Sequence, residues 1–234
     1  MTVSEFDEVA ANSAVRLETV DLDERIASAC RGSGNPAALA WLAEGCGIGP
    51  ESRVVDLGSG LGGPAAWLSR HYHCSVIALE PATGAAFGAA RLFDAPVIQG
   101  DAAVAPLRSG SFDVALLLGV LSVAADPDAI VAEAERVATT VGVLDYCSTG
   151  LRSVAAGGSR FLTVDDFVFR LERNGLTVAT TVDQVVPAPP NWVAAGAAND
   201  AGDAETEASR SEHEVVVAIE SGALTPCLVL AHHG

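Results

Sequence analysis

Hydrophobic residues in the central part of the chain form short, nearly continuous runs, each bounded by charged residues, glycines or prolines. Runs of this kind are typical of parallel strands that are covered on both faces. The predicted strands are RVVDL (53–57), SVIAL (75–79), PVIQ (96–99), FDVALLL (112–118), VGVLDY (141–146), LTVATTVDQVV (176–186) and, near the C-terminus, LTPCLVLAHH.

Helical patterns fall between most of these strands. Thr163 and Asp166 form a capping-box pattern for one helix, which is expected to end at Asn174-Gly175. Repeated alternation of strand and helix predicts a doubly wound α/β sheet with right-handed crossovers. The other predicted helices of this region cover 64–72, 82–93 and 127–138.

The two ends of the chain depart from this alternation. The first 50 residues have amphipathic helical patterns, and Asn35-Pro36 marks the start of one helix. A proline-rich, then acidic, then apolar stretch predicts a loop and a helix inserted before the last strand. We therefore expect one composite domain: a helical cap or lid (1–50), a core (51–186), an insertion that caps a pocket (187–222) and the final core strand (223–234).

Length and composition agree with one well-buried domain. Half of the 234 residues are hydrophobic, yet no apolar stretch approaches the roughly 20 residues that a membrane span needs. The N-terminal sequence has no basic segment followed by an apolar one, so no secretory signal is expected. Five scattered cysteines without CxxC spacing favour free thiols in a reducing cytosol over disulfides or a metal site. We therefore expect a cytoplasmic protein with no membrane partner and no metal.

The charge of the chain disfavours two classes of partner. The formal net charge is −17, and all 13 basic residues are arginine. An acidic surface repels phosphate backbones and anionic lipid, so nucleic acid and membrane surfaces are disfavoured as partners.

The most informative stretch is the turn after the first predicted strand. Four glycines, Gly58, Gly60, Gly62 and Gly63, lie between strand and helix, and Asp56 precedes them by two residues. In open α/β sheets, ligands bind at the carboxyl ends of the strands. The spacing satisfies G-x-G-x-x-G, which is the pattern of a dinucleotide site but is weak by itself.

The charge of Asp56 favours a cationic ligand at this turn. A dinucleotide would bring its pyrophosphate close to this acid, and like charges about 4 Å apart cost roughly 1 kcal/mol in water and more when partly buried. S-adenosylmethionine instead carries an ammonium and a sulfonium. Glu80 ends the second strand 22 residues after Gly58, where a carboxylate can accept from ribose hydroxyls, as it also does in NAD enzymes. Asp101 follows the third strand, where its carboxylate can accept a hydrogen bond from the adenine amino group, and the Ala102 amide comes next in the chain.

The stretches VVDLGSGLGGPAAW, VIALE and GDAAVAPLRSGSFDVALLLGVL resemble the ordered motifs of class I S-adenosylmethionine-dependent methyltransferases. Within them the chain is most similar to the small-molecule group (methyltransferase type 11) that includes ubiquinone/menaquinone and sterol C-methyltransferases. The resemblance implies a Rossmann-like seven-stranded sheet, mostly parallel with the last strand antiparallel. It implies a cofactor site for S-adenosyl-L-methionine made of Asp56, Gly58, Ser59 and Gly60 (methionyl end), Glu80 and Pro81 (ribose), Asp101 and Ala102 (adenine), and Leu118 and Gly119 (methionyl end).

Residues for acid–base chemistry are harder to identify. Methyl transfer needs mainly orientation and exclusion of water, with a base only if the acceptor must lose a proton. The family often has histidines after the fourth strand, where this chain has Ser122 and Val123. The remaining candidates are His213 in the insertion, which also fits a solvated helix residue, and Asp145 and Tyr146, which fit acceptor contacts and polar core roles equally.

The sequence thus predicts a methyltransferase acting on a small, uncharged or apolar metabolite, with a homodimer left open. Trp192 is a candidate to line the acceptor pocket, and Arg31 lies in a segment expected to form part of the lid. Two alternatives stay open: a protein of this fold that binds S-adenosylmethionine without methyl transfer, and an NAD-dependent oxidoreductase.

Overall fold

The computed structural model describes residues 3–30, 34–182 and 207–234. Trp192, Arg31 and the first part of the predicted insertion lie outside these ranges. The strands are β1 (Arg53–Leu57), β2 (Ser75–Glu80), β3 (Val97–Gln99), β4 (Phe112–Leu118), β5 (Ala138–Ser148), β6 (Val154–Ala156), β7 (Ser159–Phe161), β8 (Leu176–Val182) and β9 (Leu224–His233). The helices are α1 (Val3–Leu17), α2 (Leu22–Ala29), α3 (Pro36–Gly45), α4 (Gly63–Tyr72), α5 (Thr83–Phe93), α6 (Pro127–Val137), α7 (Val164–Arg173) and α8 (Glu207–Glu220).

Seven strands form one sheet in the order β3-β2-β1-β4-β5-β9-β8. β9 pairs antiparallel with both β5 and β8, whereas the pairs among β1 to β5 are parallel. The reversal of strand order between β1 and β4 opens a crevice at the carboxyl edge of the sheet. The predicted Rossmann-like sheet, mostly parallel with its last strand antiparallel, is confirmed.

Several helices begin where the sequence places a cap. The Asn35 side chain accepts from the amides of Ala37 and Ala38 at 3.0 and 3.2 Å, and Pro36 follows it. Thr163 and Asp166 form the predicted reciprocal capping box at the start of α7. Each cap satisfies amides that the first helical turn leaves without an intrahelical acceptor.

The core lies on both faces of the sheet. α3 and α4 cover one face through a cluster that contains Leu39, Leu68, Val54 and Leu116. α6 and α7 cover the other face, where Val131 and Phe167 are fully buried. Successive residues of β1 alternate between these two clusters, as the period of a strand requires.

The N-terminal helices pack outside this core. α1 lies against α5 in a small apolar cluster that includes Ala10, Leu17 and Leu92. The end of α2 packs closely on the start of α4. The backbones approach so closely that an added Cβ at Gly63 would lie only 2.5 Å from the Ala29 carbonyl carbon. These contacts bring α1 and α2 next to the glycine turn.

Two features differ from the sequence prediction. β5 spans Ala138–Ser148 instead of 141–146, and it follows α6 with no intervening loop. The hairpin of β6 and β7 was not predicted, and it pairs only within itself. Within the described ranges, no helix combines the length and apolar character that crossing a bilayer requires.

Candidate functional site

The glycine turn after β1 is held by the end of β2. Its Gly58 and Ser59 amides donate to the Leu79 carbonyl at 2.8 and 3.1 Å. Gly58 has φ +83°, and a Cβ there would lie 2.5 Å from Val120 Cγ2 on the segment after β4. Only glycine fits this backbone without strain, because the left-handed conformation and the close approach both exclude a side chain.

Asp56 lies at the start of this turn as a buried acid. It is 1% exposed, and neither carboxylate oxygen accepts a hydrogen bond from the part of the chain that the structure describes. Burial, with a smaller contribution from the nearby Glu80 carboxylate, raises the pKa of Asp56 to about 7. The Cys30 thiol at the end of α2 is close enough for the charge of Asp56 to raise the pKa of that thiol further, beyond the effect of burial.

Glu80, at the end of β2, is hydrogen-bonded to the glycine turn and to the start of α5. Its Oε2 accepts from the Gly60 amide at 2.8 Å and its Oε1 from the Ala82 amide at 2.9 Å. Burial raises the pKa of Glu80, the two amide bonds oppose that change, and the charge of Asp7 adds to it. Each oxygen keeps a second lone pair, so the carboxylate can still accept from ligand hydroxyls. Pro81 follows it and is exposed.

α1 closes the outer side of the turn. Asp7 accepts from the Gly84 amide in the first turn of α5, a helix whose own N-cap, Ala82, has no capping side chain. The Phe6 ring lies 3.8 Å from the position of a Cβ on Gly60. An N-terminal helix therefore contacts the glycine turn.

Two further polar groups lie at the carboxyl edge. The Ser59 hydroxyl is buried without a hydrogen-bond partner, like the Asp56 carboxylate. Asp101 is exposed, and its Oδ1 accepts from the Ala103 amide at 2.9 Å, while Ala102 is buried. Asp101 thus keeps one carboxylate oxygen available to a ligand.

The end of β4 contributes backbone to the same edge. Leu118 is half-buried, and Gly119 has φ +71° with no atom within 4 Å of an added Cβ. The Gly119 amide donates to the Leu144 carbonyl at 2.7 Å, which fixes this segment to β5. The structure therefore brings the predicted cofactor residues from β1, β2, β3 and β4 to one edge of the sheet.

Asp145 accepts hydrogen bonds from the segment that follows β4. Its Oδ1 accepts from the Ser122 hydroxyl and the Tyr146 amide, both at 2.7 Å, and its Oδ2 accepts from the Ser122 amide at 3.1 Å. Burial raises the pKa of Asp145 to about 6, against the opposing effect of these hydrogen bonds and of the Leu121 amide. This pair was not predicted, because Ser122 and Asp145 are distant in sequence and only the strand pairing brings them together.

The other two predicted catalytic residues are Tyr146 and His213. Tyr146 is half-buried, and as the next strand residue it faces the opposite side of the sheet. Burial and the charge of Asp145 raise the pKa of its phenol. His213 is exposed on α8, beside Glu214, whose Oε2 accepts from the Gly157 amide of the β6–β7 turn.

Two cavities lie where β5 ends. One, of about 520 Å³, is lined by Ser148, Thr149, Gly150, Leu151, Arg152, Ser153, Val154 and Ala223. The other, of about 310 Å³, shares Ser148, Thr149 and Gly150 with it and is also lined by Asp165. Because β5 is parallel to β4 and β4 to β1, these cavities lie at the same carboxyl edge of the sheet as the predicted cofactor residues.

Comparison with known proteins supports the motif assignment. Residues 55–144 match the sequence model of a family described as a methyltransferase domain. This range begins next to Asp56 and ends at Leu144, so it covers β1 to most of β5. The methyltransferase resemblance predicted from the motifs is confirmed over this segment. A search of curated proteins finds no significant sequence match to the chain.

Solved structures share the fold at low sequence identity. The [4+2]-cyclase SpnF superposes with a TM-score of 0.70 at 19% identity, covering 83% of this chain and 79% of that one. Geranyl diphosphate C-methyltransferase from Streptomyces coelicolor A3(2) gives 0.64 at 16%, covering 84% and 79%. A putative sarcosine dimethylglycine methyltransferase from Galdieria sulphuraria gives 0.65 at 17%, covering 83% and 84%. Identities this low establish the fold, and they leave substrate and reaction to the residues of the site.

Proposed function

We propose that this chain is a methyltransferase that binds S-adenosylmethionine and transfers its methyl group to a small-molecule acceptor. The observation that supports this proposal most is the state of the Asp56 carboxylate. It is buried, and neither of its oxygens has a hydrogen-bond partner among the described residues. A buried acid in this state costs free energy unless a donor or a cation reaches it. The ammonium and sulfonium of S-adenosylmethionine supply what Asp56 lacks, and the pyrophosphate of a dinucleotide does not.

The other predicted cofactor residues fit the same ligand. The Ser59 hydroxyl lacks a partner, and the exposed Asp101 has a free oxygen for an amino group. The lone pairs left on Glu80 suit ribose hydroxyls. With Gly58, Gly60, Pro81, Ala102, Leu118 and Gly119 completing the edge, we assign these residues to cofactor binding.

The bound cofactor supplies a methyl group that its sulfonium already activates. The work left to the protein is to hold the acceptor in line with that methyl and to exclude water. Buried acids around the turn stabilise the cationic ligand, and the contacts of α1 and α2 with the turn keep it from solvent. His213, Asp145 and Tyr146 stay candidates for acceptor contact, and the hydrogen bonds of Asp145 favour a positioning role for it.

A second function has a specific observation in its favour. One protein that shares this fold over most of both chains is named as a [4+2]-cyclase, not as a methyltransferase. Ser122 also stands where related methyltransferases often have a histidine. A protein that binds the cofactor and uses it for another reaction is therefore the alternative.

Two measurements separate these functions. Calorimetry with S-adenosylhomocysteine tests the cofactor site, and incubation with methyl-labelled S-adenosylmethionine and a metabolite panel tests transfer. We expect binding together with label transfer to at least one metabolite. Binding without transfer to any panel member favours the alternative, and binding of NADH in place of S-adenosylhomocysteine contradicts the cofactor assignment.

The remaining expectations stay predictions from the sequence. They are the cytoplasmic location, the absence of a nucleic-acid partner, the option of a homodimer and the division into cap, core, insertion and final strand. The helix α8 falls within the predicted insertion and contacts β6 and β9. This position supports a capping role for the insertion.

A further inference from the structure

The end of β5 and the segment that follows it, up to the first residue of α7, have an unusual charge for this protein. Residues 146–164 contain no Asp or Glu, although the whole chain has 30 acidic residues among 234. The same segment contains two arginines, Arg152 and Arg160, both of them exposed. It therefore forms a locally cationic loop on a strongly acidic molecule.

Neither arginine is used in an ion pair of the described structure. Most other described arginines bind a carboxylate, as Arg53 binds Asp113 and Arg136 binds Glu133, or bind backbone carbonyls, as Arg25 does. Arg160 donates from Nε to the Ser153 hydroxyl at 3.0 Å, a neutral partner, and no acid of the described residues pairs with its guanidinium. The contact that the described residues make with Arg152 is through its backbone, whose carbonyl accepts from the Ser148 hydroxyl at 2.7 Å.

Both arginines are associated with the larger cavity. Arg152 and Ser153 line the cavity of about 520 Å³, and Arg160 is bonded to Ser153. This cavity is an open depression on the protein surface, so it can hold one end of a small molecule. Leu151, which is fully exposed, and Val154 add apolar surface to the same lining.

The loop is fixed next to the predicted cofactor site. The Arg160 amide donates to the Ser122 carbonyl at 3.0 Å, and Ser122 follows Gly119 by three residues. Ser122 is in turn bonded to Asp145 on β5. A group bound by this loop is therefore connected to the cofactor edge through a short and hydrogen-bonded segment.

Four acids lie at the borders of the loop. Asp145 accepts from the Tyr146 amide, and Asp166 accepts from the Thr163 amide. Glu214 of α8 accepts from the Gly157 amide, and Asp165 lines the smaller cavity. None of the four forms an ion pair with Arg152 or Arg160 within the described ranges.

We propose that the larger cavity receives the methyl acceptor and that Arg152 and Arg160 bind an anionic group on it, a carboxylate or a phosphate. Guanidinium groups bind these anions through paired, charge-assisted hydrogen bonds. Leu151 and Val154 contact an apolar part of the same molecule. This inference rests on the proposed function, and it replaces the uncharged acceptor expected from the sequence with an amphiphilic anion.

Three eight-carbon probes test the inference: octanoate, octyl phosphate and the uncharged octanamide. Each is titrated calorimetrically into the protein with and without saturating S-adenosylhomocysteine. We expect at least one anion to bind about tenfold more tightly than octanamide. The preferred anion identifies the group as carboxylate or phosphate.

Variants then assign the effect to the two arginines. In Arg152→Gln/Arg160→Gln the anion should bind no more tightly than octanamide, while the affinity for S-adenosylhomocysteine stays at the wild-type value and reports an intact fold. The matched control is Arg108→Gln, because Arg108 is an exposed arginine at the amino end of β4, the opposite edge of the sheet. It should leave anion binding unchanged.

The outcomes keep the two proposals separate. Equal binding of octanamide and the anions, no binding of either anion, or an equal loss in the Arg108 variant overturns the acceptor inference. Failure of the wild-type protein to bind S-adenosylhomocysteine contradicts the proposed function, and the titrations without it still report whether the arginines bind an anion.

Discussion

Asp56 makes cofactor binding sensitive to pH. Its carboxyl is buried beside Glu80 and the Cys30 thiol, and burial raises its pKa to about 7. Without a cation the group is partly protonated near neutral pH, whereas the ionised form is the one that attracts an ammonium or a sulfonium. Cofactor binding should therefore be linked to release of a proton from Asp56.

The affinity for S-adenosylhomocysteine should rise with pH up to about 7 and then level off. Below the pKa, a single linked proton changes affinity by up to about tenfold per pH unit. Calorimetry between pH 5.5 and 8 measures this, and Asp56→Asn should give weaker and nearly pH-independent binding. A wild-type affinity that falls as pH rises would contradict the linkage.

The raised pKa of Asp56 also determines whether the protein becomes more or less stable as pH rises. The pKa of Asp56 in the folded state lies above its ordinary value of 3.8, so the folded state retains this proton where the unfolded state has lost it. Its contribution to the free energy of unfolding therefore decreases as pH rises from about 4 to about 7 in the cofactor-free protein.

Asp145 was predicted either to contact the acceptor or to serve the core, and its hydrogen bonds favour the second role. In Asp145→Asn, the new amide group would face the amides of Ser122 or Tyr146, which are donors themselves. We expect a loss of about 1–3 kcal/mol in the free energy of unfolding, measured with urea.

Ser122→Ala provides the matched comparison. It removes only the hydroxyl bond to Asp145 and keeps the bonds from backbone amides, so the loss should be smaller, about 1 kcal/mol. Unchanged stability of the Asp145 variant together with lost turnover would contradict the positioning role and favour a catalytic one.

Among the helices, α1 contributes a cap to a neighbour. α5 has no capping side chain of its own, and Asp7 of α1 accepts from the Gly84 amide at its start. Asp7→Ala should lower the free energy of unfolding by about 1 kcal/mol, because an amide donor and the helix dipole lose their acceptor. Urea unfolding measures the change.

The control for Asp7 is the adjacent Glu8, which is exposed. Glu8→Ala removes the same charge from the same helix without touching α5, and it should leave stability within about 0.5 kcal/mol of wild type. An equal loss in both variants would show that the effect comes from helix α1 itself and not from the cap.

Elements were predictable where local signals agreed. β1 and β4 match their predicted bounds, and α3 begins where Asn35-Pro36 predicted, because continuous apolar runs or a cap define these ends. The β6–β7 hairpin was missed because its strands have only three residues each and no alternation of polar and apolar positions. β5 was predicted too short because Thr139 and Thr140 lack the apolar character used to find strands.

For the molecule as a whole, the order of the strands determines which of the predicted site residues lie close together. Asp56, Glu80, Asp101 and Gly119 were predictable as a group, since each follows or ends a parallel strand and such ends share one edge. The link from Ser122 to Asp145 and Arg160 was not predictable, since it depends on pairings between segments far apart in sequence. The role of the cationic loop was not predictable, since only the structure places Arg152 at a cavity and Arg160 beside Ser153.

A crystal structure with S-adenosylhomocysteine tests the central claim most directly. We predict electron density for the nucleoside at the carboxyl edge of β1 and β2, with the ligand amino group within hydrogen-bond distance of Asp56 and the ribose hydroxyls within that distance of Glu80. Density for the ligand at another part of the protein, or a complex in which neither carboxylate contacts it, would contradict the account.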